Sequence, residues 1–249
     1  MKKILLSLMI LFSALNAEGI YATFDVKADK SASLAFYASG IVEKVYVDVS
    51  SYVKKGDKLA ELQNSDLQAS LEMAKSSLED ARVNLAFTLR DYERQKKIKK
   101  LIDEALFDKY KLAYERAKAV FAEAQANVAY KKALLDNTVL YAPFDGVIFN
   151  KDIEAGDVVS SMTLKTVFNI QSRSKRKLIV EFDQTHWKEV KVGDLFRYKV
   201  DGDTKEYTGK ISKIYPSANN SNRKIKAEVR ADDFIVGLFG DGYIQTDKK

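Results

Sequence analysis

Apolar residues recur through residues 65–136 at the spacing of a helical seam. Leu67, Leu71, Ala74, Leu78, Ala81, Leu85, Thr88 and Tyr92 lie alternately four and three residues apart, the narrow stripe of a coiled coil. Tyr110, Tyr114, Ala117, Phe121, Ala124, Val128 and Leu135 form a second stripe, interrupted by Lys131 at one seam position. No Gly or Pro occurs from Asp57 to Ala142, so nothing in the composition breaks a helix there. The two stripes lose register over residues 98–104. One unbroken helix of this length would run on the order of 100 Å, whereas two helices folded back at about Leu101–Ala105 would each run roughly 45–55 Å. The flanking β segments decide for the hairpin, because they read as two halves of one domain and their ends must meet.

Each flank follows a strand, Gly-turn, strand pattern and then a Gly-Asp turn into another strand. The first half holds Gly40 and then Gly56-Asp57; the second holds Gly146 and then Gly156-Asp157. The pattern therefore predicts a degenerate repeat in which Gly40 matches Gly146 and Gly56-Asp57 matches Gly156-Asp157. These are the structural turns at which a positive φ or a missing side chain is expected. From Lys177 onward the pattern alternates, with Leu178, Val180 and Phe182 on one face and Ile179 and Glu181 on the other. Asp201-Gly202 predicts a two-residue hairpin turn, and strands are expected over 210–215, 225–230 and 243–246. Six or so short strands suggest a small β-barrel.

The fold class expected is mixed α and β, elongated, with a split barrel-sandwich, an antiparallel α-helical hairpin and a small β-barrel. The expected divisions are a leader at 1–17, an N-terminal strand with the first half-sandwich at 18–64, the hairpin at 65–136, the second half-sandwich at 137–172 and the barrel at 173–249. The leader reading rests on Lys2 and Lys3, the apolar run Ile4 to Leu15, and small residues at Ala14 and Ala17. That run is shorter than the ~20 residues a membrane-spanning helix needs, so cleavage after Ala17 and a periplasmic product are expected.

The net charge is +6 and becomes about +4 without the leader, spread among acids, which argues against nucleic acid. There is no Cys, hence no disulfide, thiol chemistry or lipidated cysteine. His186 is the one histidine, beside Trp187, the one tryptophan. Without a second His or a Cys it lacks partners for a metal site or a triad, and packing or surface exposure explains it. Asp201, Asp203 and Glu206 fit a turn better than a calcium loop, whose alternating oxygen ligands are missing. No catalytic residue, cofactor or metal is expected.

The segments Thr138-Val139-Leu140-Tyr141-Ala142-Pro143-Phe144-Asp145-Gly146-Val147 and Val53-Lys54-Lys55-Gly56-Asp57-Lys58-Leu59-Ala60 resemble the two halves of the lipoyl-like domain of periplasmic adaptor (membrane fusion) proteins of tripartite multidrug-efflux pumps. Pro216, Arg223 and Val236-Gly237-Leu238-Phe239-Gly240 resemble landmarks of that family's barrel. The likeness spans about residues 24–247. It implies a non-catalytic adaptor between an inner-membrane exporter, of resistance-nodulation-division type, and an outer-membrane channel, self-associated into a ring. An ATP-binding-cassette exporter or type I secretion system is the alternative partner set, and a biotin- or lipoyl-type carrier subunit the alternative function. Against the carrier, no Met-Lys-Met-like turn exists, and a coiled coil fills its place.

The resemblance also implies channel docking at the hairpin tip, through Arg94, Lys97, Ile98, Leu101 and Ala105. The family often carries Arg, a Leu four residues on, and a Ser seven further; Arg94 and Ile98 fit, while Ala105 lacks the hydroxyl. Two turns also differ: Ser50-Ser51 stands where the family usually has a Gly, and Phe239-Gly240 where it has Pro-Gly. The extra membrane-proximal domain of longer members is expected to be missing or very much reduced.

Overall fold

The computed structural model describes residues 19–163 and 165–246, so the expected leader at 1–17 lies outside the described residues. The strands before the helices are β1 (Ile20–Ala28), β2 (Ser31–Leu34), β3 (Gly40–Val45), β4 (Tyr52–Val53) and β5 (Lys58–Leu62). Then come α1 (Ser65–Lys97), a 3-10 turn at Lys99–Leu101, and α2 (Glu104–Asp136). The second half of the chain supplies β6 (Val139–Tyr141), β7 (Gly146–Lys151), β8 (Val158–Val159) and β9 (Phe168–Gln171). It continues with β10 (Lys175–Asp183), a 3-10 turn at Gln184–His186, β11 (Leu195–Val200), β12 (Tyr207–Ala218), β13 (Lys224–Asp232) and β14 (Phe239–Gln245). They form two compact units, one of residues 31–171 and one of the segments on either side.

The first unit holds two four-stranded sheets in the orders β2-β9-β7-β4 and β6-β5-β3-β8. Exchanging β2–β5 for β6–β9 converts one order into the other, which is a pseudo-twofold. Gly40 pairs with Val159 and Gly146 with Val53, so these two glycines are equivalents. Only Gly146 needs its missing side chain: a Cβ there would meet the Gln171 carbonyl oxygen at 2.5 Å, whereas one on Gly40 would touch Leu62 at an ordinary 3.4 Å. Leu59, Leu62, Ile148, Phe168 and Ile170 fill the space between the sheets and are wholly buried.

One turn recurs four times, over residues 48–51, 54–57, 154–157 and 191–194. Its third residue has positive φ: Ser50 69°, Gly56 89°, Gly156 96° and Gly193 102°. Its fourth residue turns a side-chain oxygen back onto the amide of the first, from Ser51, Asp57, Asp157 or Asp194, at 2.7–2.9 Å. The third amide and fourth carbonyl then bracket one residue of a crossing segment: Ile148, Ala142, Val42 and Ile211 respectively. The bracketed residues are all buried and apolar. Each turn thus pins a core residue through both of its backbone groups.

This corrects the repeat expected from sequence. Val42 and Ile148 are equivalent under the pseudo-twofold, so the counterpart of Gly156-Asp157 is Ser50-Ser51, and Gly56-Asp57 is a further copy of the turn. The three Gly-Asp turns look alike because the local chemistry is the same; which strand each brackets is a long-range matter.

The second unit is a closed antiparallel barrel in the order β1-β10-β13-β12-β11-β14. Inward-pointing Phe24, Val26, Leu178, Val180, Phe182, Phe196, Ile211, Val229 and Ile244 form its core. Two expectations change here. The N-terminal strand grouped with the sandwich belongs to the barrel, where β1 pairs with both β10 and β14. Nor is Asp201-Gly202 a two-residue hairpin. The Asp203 amide does close a turn on the Val200 carbonyl, but β11 and β12 first pair at Tyr198 and Tyr207. Asp203 instead organises the longer loop, accepting from the Lys205 amide at 2.9 Å and the Tyr207 hydroxyl at 2.8 Å.

Candidate functional site: the helical hairpin and its tip

The hairpin is held at its base by buried polar groups. Asn64, at the N-cap of α1, caps no backbone amide of its helix with its side chain; its amide donates instead to the Thr138 hydroxyl across the pair at 3.0 Å. Thr138 donates in turn to the Leu135 carbonyl at 2.7 Å, and Gln68 donates to the Asn64 carbonyl oxygen at 2.6 Å. The Leu62 amide donates to the Thr138 backbone carbonyl at 2.9 Å. With Asn64 and Thr138 both buried, this chain of bonds sets how the helices leave the sandwich. In neighbouring β5, Glu61 lies 3.1 Å from the Lys58 ammonium and 3.9 Å from that of Lys44. A hydrogen bond from Tyr46 and then the Lys58 contact hold its carboxyl below the usual range, against the opposing effect of burial.

Along the pair, Leu67, Leu71, Ala74, Leu78, Ala81, Leu85, Thr88 and Tyr92 face inward, as the heptad pattern requires. Nearer the tip, Tyr92 stacks on Tyr114 with centroids 5.3 Å apart and meets Phe107 at 5.7 Å. Phe107 is buried, and the sequence stripe beginning at Tyr110 misses it. Stepping that stripe back three residues from Tyr110 would have found it.

The fold-back falls over residues 98–103, slightly earlier than expected. Helix α1 ends at Lys97, and Asp103 caps α2 by accepting from the Ala105 amide at 2.8 Å. Of the expected tip residues, Arg94 sits in the last turn of α1 and bonds to Asp91, and Lys97 ends the helix. Ile98 is its C-cap and 43% exposed, while Leu101 ends the 3-10 turn and is 84% exposed. Ala105 stands across the fold-back, in the first turn of α2. The cations have local reasons to be here. Arg94, Lys96 and Lys97 occupy the end of a helix, where its dipole favours positive charge. The Lys99 ammonium lies 4.6 Å from the Phe107 ring centroid and that of Lys96 6.0 Å from Tyr92. What remains without such a reason is the apolar apex, Leu101 above all.

His186 is half-buried, with Nδ1 3.2 Å from Glu189 Oε1. Among the described residues no group of three or more His, Cys, Asp or Glu side chains is arranged to hold a metal ion.

A sandwich of two pseudo-symmetric halves, with a helical hairpin between β5 and β6 and a six-stranded barrel beside it in the chain, defines a recognisable class. Residues 30–171 match the model of the CzcB-like, barrel-sandwich hybrid domain, and the chain belongs to that family. It is 25% identical over 230 residues to the macrolide export protein MacA of Yersinia pestis, covering 84% of this chain and 61% of the relative. The chain thus spans about three-fifths of the length of that relative. Among solved structures, MacA of Actinobacillus actinomycetemcomitans superposes with a TM-score of 0.76 at 21% identity, over 92% of this chain and 79% of that one. The membrane fusion protein Spr0693 of Streptococcus pneumoniae gives 0.73 at 17% identity, over 92% and 100%. At these identities the structural likenesses establish the fold.

Proposed function

We propose that this chain is a non-catalytic periplasmic adaptor that links an inner-membrane exporter to an outer-membrane channel in a tripartite efflux pump. The observation that carries the reading is the hairpin itself. It leaves the sandwich where a carrier domain would present its lysine on a tight turn, is fixed there by the Asn64–Thr138 bond, and ends in an exposed apolar apex. A carrier subunit has no use for such a hairpin, and the export and membrane-fusion relatives favour the adaptor. Docking on the channel is assigned to Ile98 and Leu101, with Arg94 and Lys97 beside them and Ala105 across the fold-back.

The exporter is proposed to be of the resistance-nodulation-division type, and several copies of the chain to form a ring around the conduit. Crosslinking in membranes with this chain as bait tests all of these readings. Recovery of a proton-driven exporter and a channel with several copies of the chain is expected. An ATP-binding-cassette partner would overturn the exporter class, a single copy per channel the ring, and capture of neither membrane protein the adaptor reading itself.

A further inference from the structure

The chain leaves the barrel unit after Lys30 and returns to it at Ser172, and both crossings lie at one end of the barrel. The β13–β14 connection over residues 233–238 lies at the same end, because Ala28, Arg176 and Ala231 stand side by side on β1, β10 and β13. Hydrogen bonds run among all three segments. The Lys30 amide donates to Ser172 Oγ at 3.3 Å, and the Ser172 amide to the Lys30 carbonyl at 2.9 Å. The amides of Asp29 and Asp233 donate to the carbonyls of Lys175 and Ser174, each at 3.1 Å. The Gly237 amide and the Leu238 carbonyl bracket Val26 of β1 at 2.9 and 2.7 Å.

Arg176 ties these segments together. It occupies the inward face of β10, in line with Leu178 and Val180, and is buried. Its small neighbours Ala28 and Ala231 leave room for a long side chain at the mouth of the barrel. The guanidinium is turned on main-chain carbonyls alone. Nε donates to Phe234 at 2.7 Å, Nη1 to Ser172 and Lys175 at 2.6 and 3.2 Å, and Nη2 to Arg173 at 2.6 Å. With Ser174 taken by Asp233, every carbonyl from 172 to 175 is occupied. Among the described residues no carboxylate forms an ion pair with Arg176. A buried cation is costly unless its N–H groups are met, and here carbonyl dipoles meet them. Only the planar arginine fork offers five donors in fixed directions; an ammonium presents three from one point.

We infer that Arg176 is a lock on this end of the barrel: its fork holds the two crossings and the 233–238 connection as one piece, and releasing it opens all three together while the rest of the barrel stays closed. In a bridging protein, a pull on the chain at Lys30 or Ser172 is then borne jointly by β1, β10 and the β13–β14 connection. That consequence rests on the adaptor reading; the lock itself does not.

Backbone hydrogen exchange on the purified full chain reads the lock. In Arg176→Met the amides of Asp29, Lys30, Ser172, Asp233 and Gly237 should exchange about tenfold or more faster than in the parent, all by a similar factor, while β11 and β12 keep their protection. Trypsin should cut the variant newly at Arg173 and Lys175. Arg176→Lys keeps a cation without the fork and should behave as Arg176→Met does. Efflux should fall in both variants at unchanged amounts of chain. Parent-like exchange in Arg176→Met, loosening of one segment without the others, or spread of the loss to β11 and β12 would overturn the lock. Parent-like exchange in Arg176→Lys would overturn the role of the fork, and normal efflux with the end opened would overturn the shared pull. Exchange and cleavage need no partner, so failure of the adaptor reading would leave both results standing.

Discussion

Ser50 occupies in the first half of the sandwich the place that Gly156 occupies in the second, and it keeps the left-handed backbone of a glycine. Its φ of 69° lies closer than the 96° of Gly156 to the small left-handed region that side chains tolerate. The hydrogen bonds of the turn survive, with Ser51 Oγ doing the work of the Asp157 carboxylate. A non-glycine residue there costs about 1–2 kcal/mol, offset in part by the roughly 0.5–1 kcal/mol of extra chain entropy that glycine loses on folding. Ser50→Gly should therefore stabilise the protein by about 0.5–1 kcal/mol, read as a higher urea midpoint. Gly156→Ser should destabilise it by more than that, although a Cβ there meets nothing within 4 Å. Equal stability of both variants with the parent would show that the turn relaxes freely.

At the base of the hairpin, Thr138→Val keeps the shape of the side chain and removes its hydroxyl. The buried Asn64 amide then loses its acceptor and the Leu135 carbonyl a donor, at a cost of about 1–3 kcal/mol. Denaturant unfolding should show that loss, and Asn64→Leu added to Thr138→Val should cost less than the two changes summed. Strict additivity would mean that the two residues do not act through each other.

The tip separates packing from docking. Leu101→Asp and Ile98→Asp alter exposed groups and should change stability by only about 0.5 kcal/mol while abolishing efflux and channel crosslinking. Arg94→Asp is expected to abolish efflux too, with its new carboxylate beside Asp91 disturbing the end of α1. Phe107→Ala empties the contact with Tyr92 and should cost about 3 kcal/mol or more of local stability. Hydrogen exchange in the terminal turns of both helices would report it. Normal crosslinking by Leu101→Asp and Ile98→Asp together would remove the apex from the interface.

Glu61 should make the sandwich sensitive to acid. Its carboxyl is held below the usual range in the folded chain, so it adds stability at pH values above the unfolded carboxylate pKa. That contribution fades as the pH falls through the folded value. Glu61→Gln should be less stable than the parent near neutrality and converge with it in acid. A constant gap between the two melting curves at every pH would show that the charge of Glu61 is not what matters.

The helices were the most legible part of the chain, because a seam repeats its information every turn: all eight positions from Leu67 to Tyr92 face the partner helix. Phe107 escaped because the second stripe was taken up only after the loss of register, although its ring closes the aromatic cluster with Tyr92. The sequence of β1 shows alternation and nothing about its neighbours. Residues 20–28 read equally well as a strand of the sandwich, and only pairing with Ile179 and Asp241, far along the chain, puts them in the barrel. The apex residues were located through the break between the stripes, but the meaning of their charge was not legible. The helix dipole and the rings of Tyr92 and Phe107 account locally for most of the cations there.

Because β1 is paired with β14, the barrel encloses the sandwich along the chain, and the sandwich encloses the hairpin. The innermost segment makes its contacts with near neighbours in sequence, and the outermost waits for the last strand to be delivered. A chain emerging with its N-terminus first would therefore settle from the centre outward: α1 on α2, then β2–β5 against β6–β9, and β1 last of all. Until β14 arrives, β1 has an open edge and an uncovered row of Ala22, Phe24 and Val26, which is the surface a chaperone would have reason to shield.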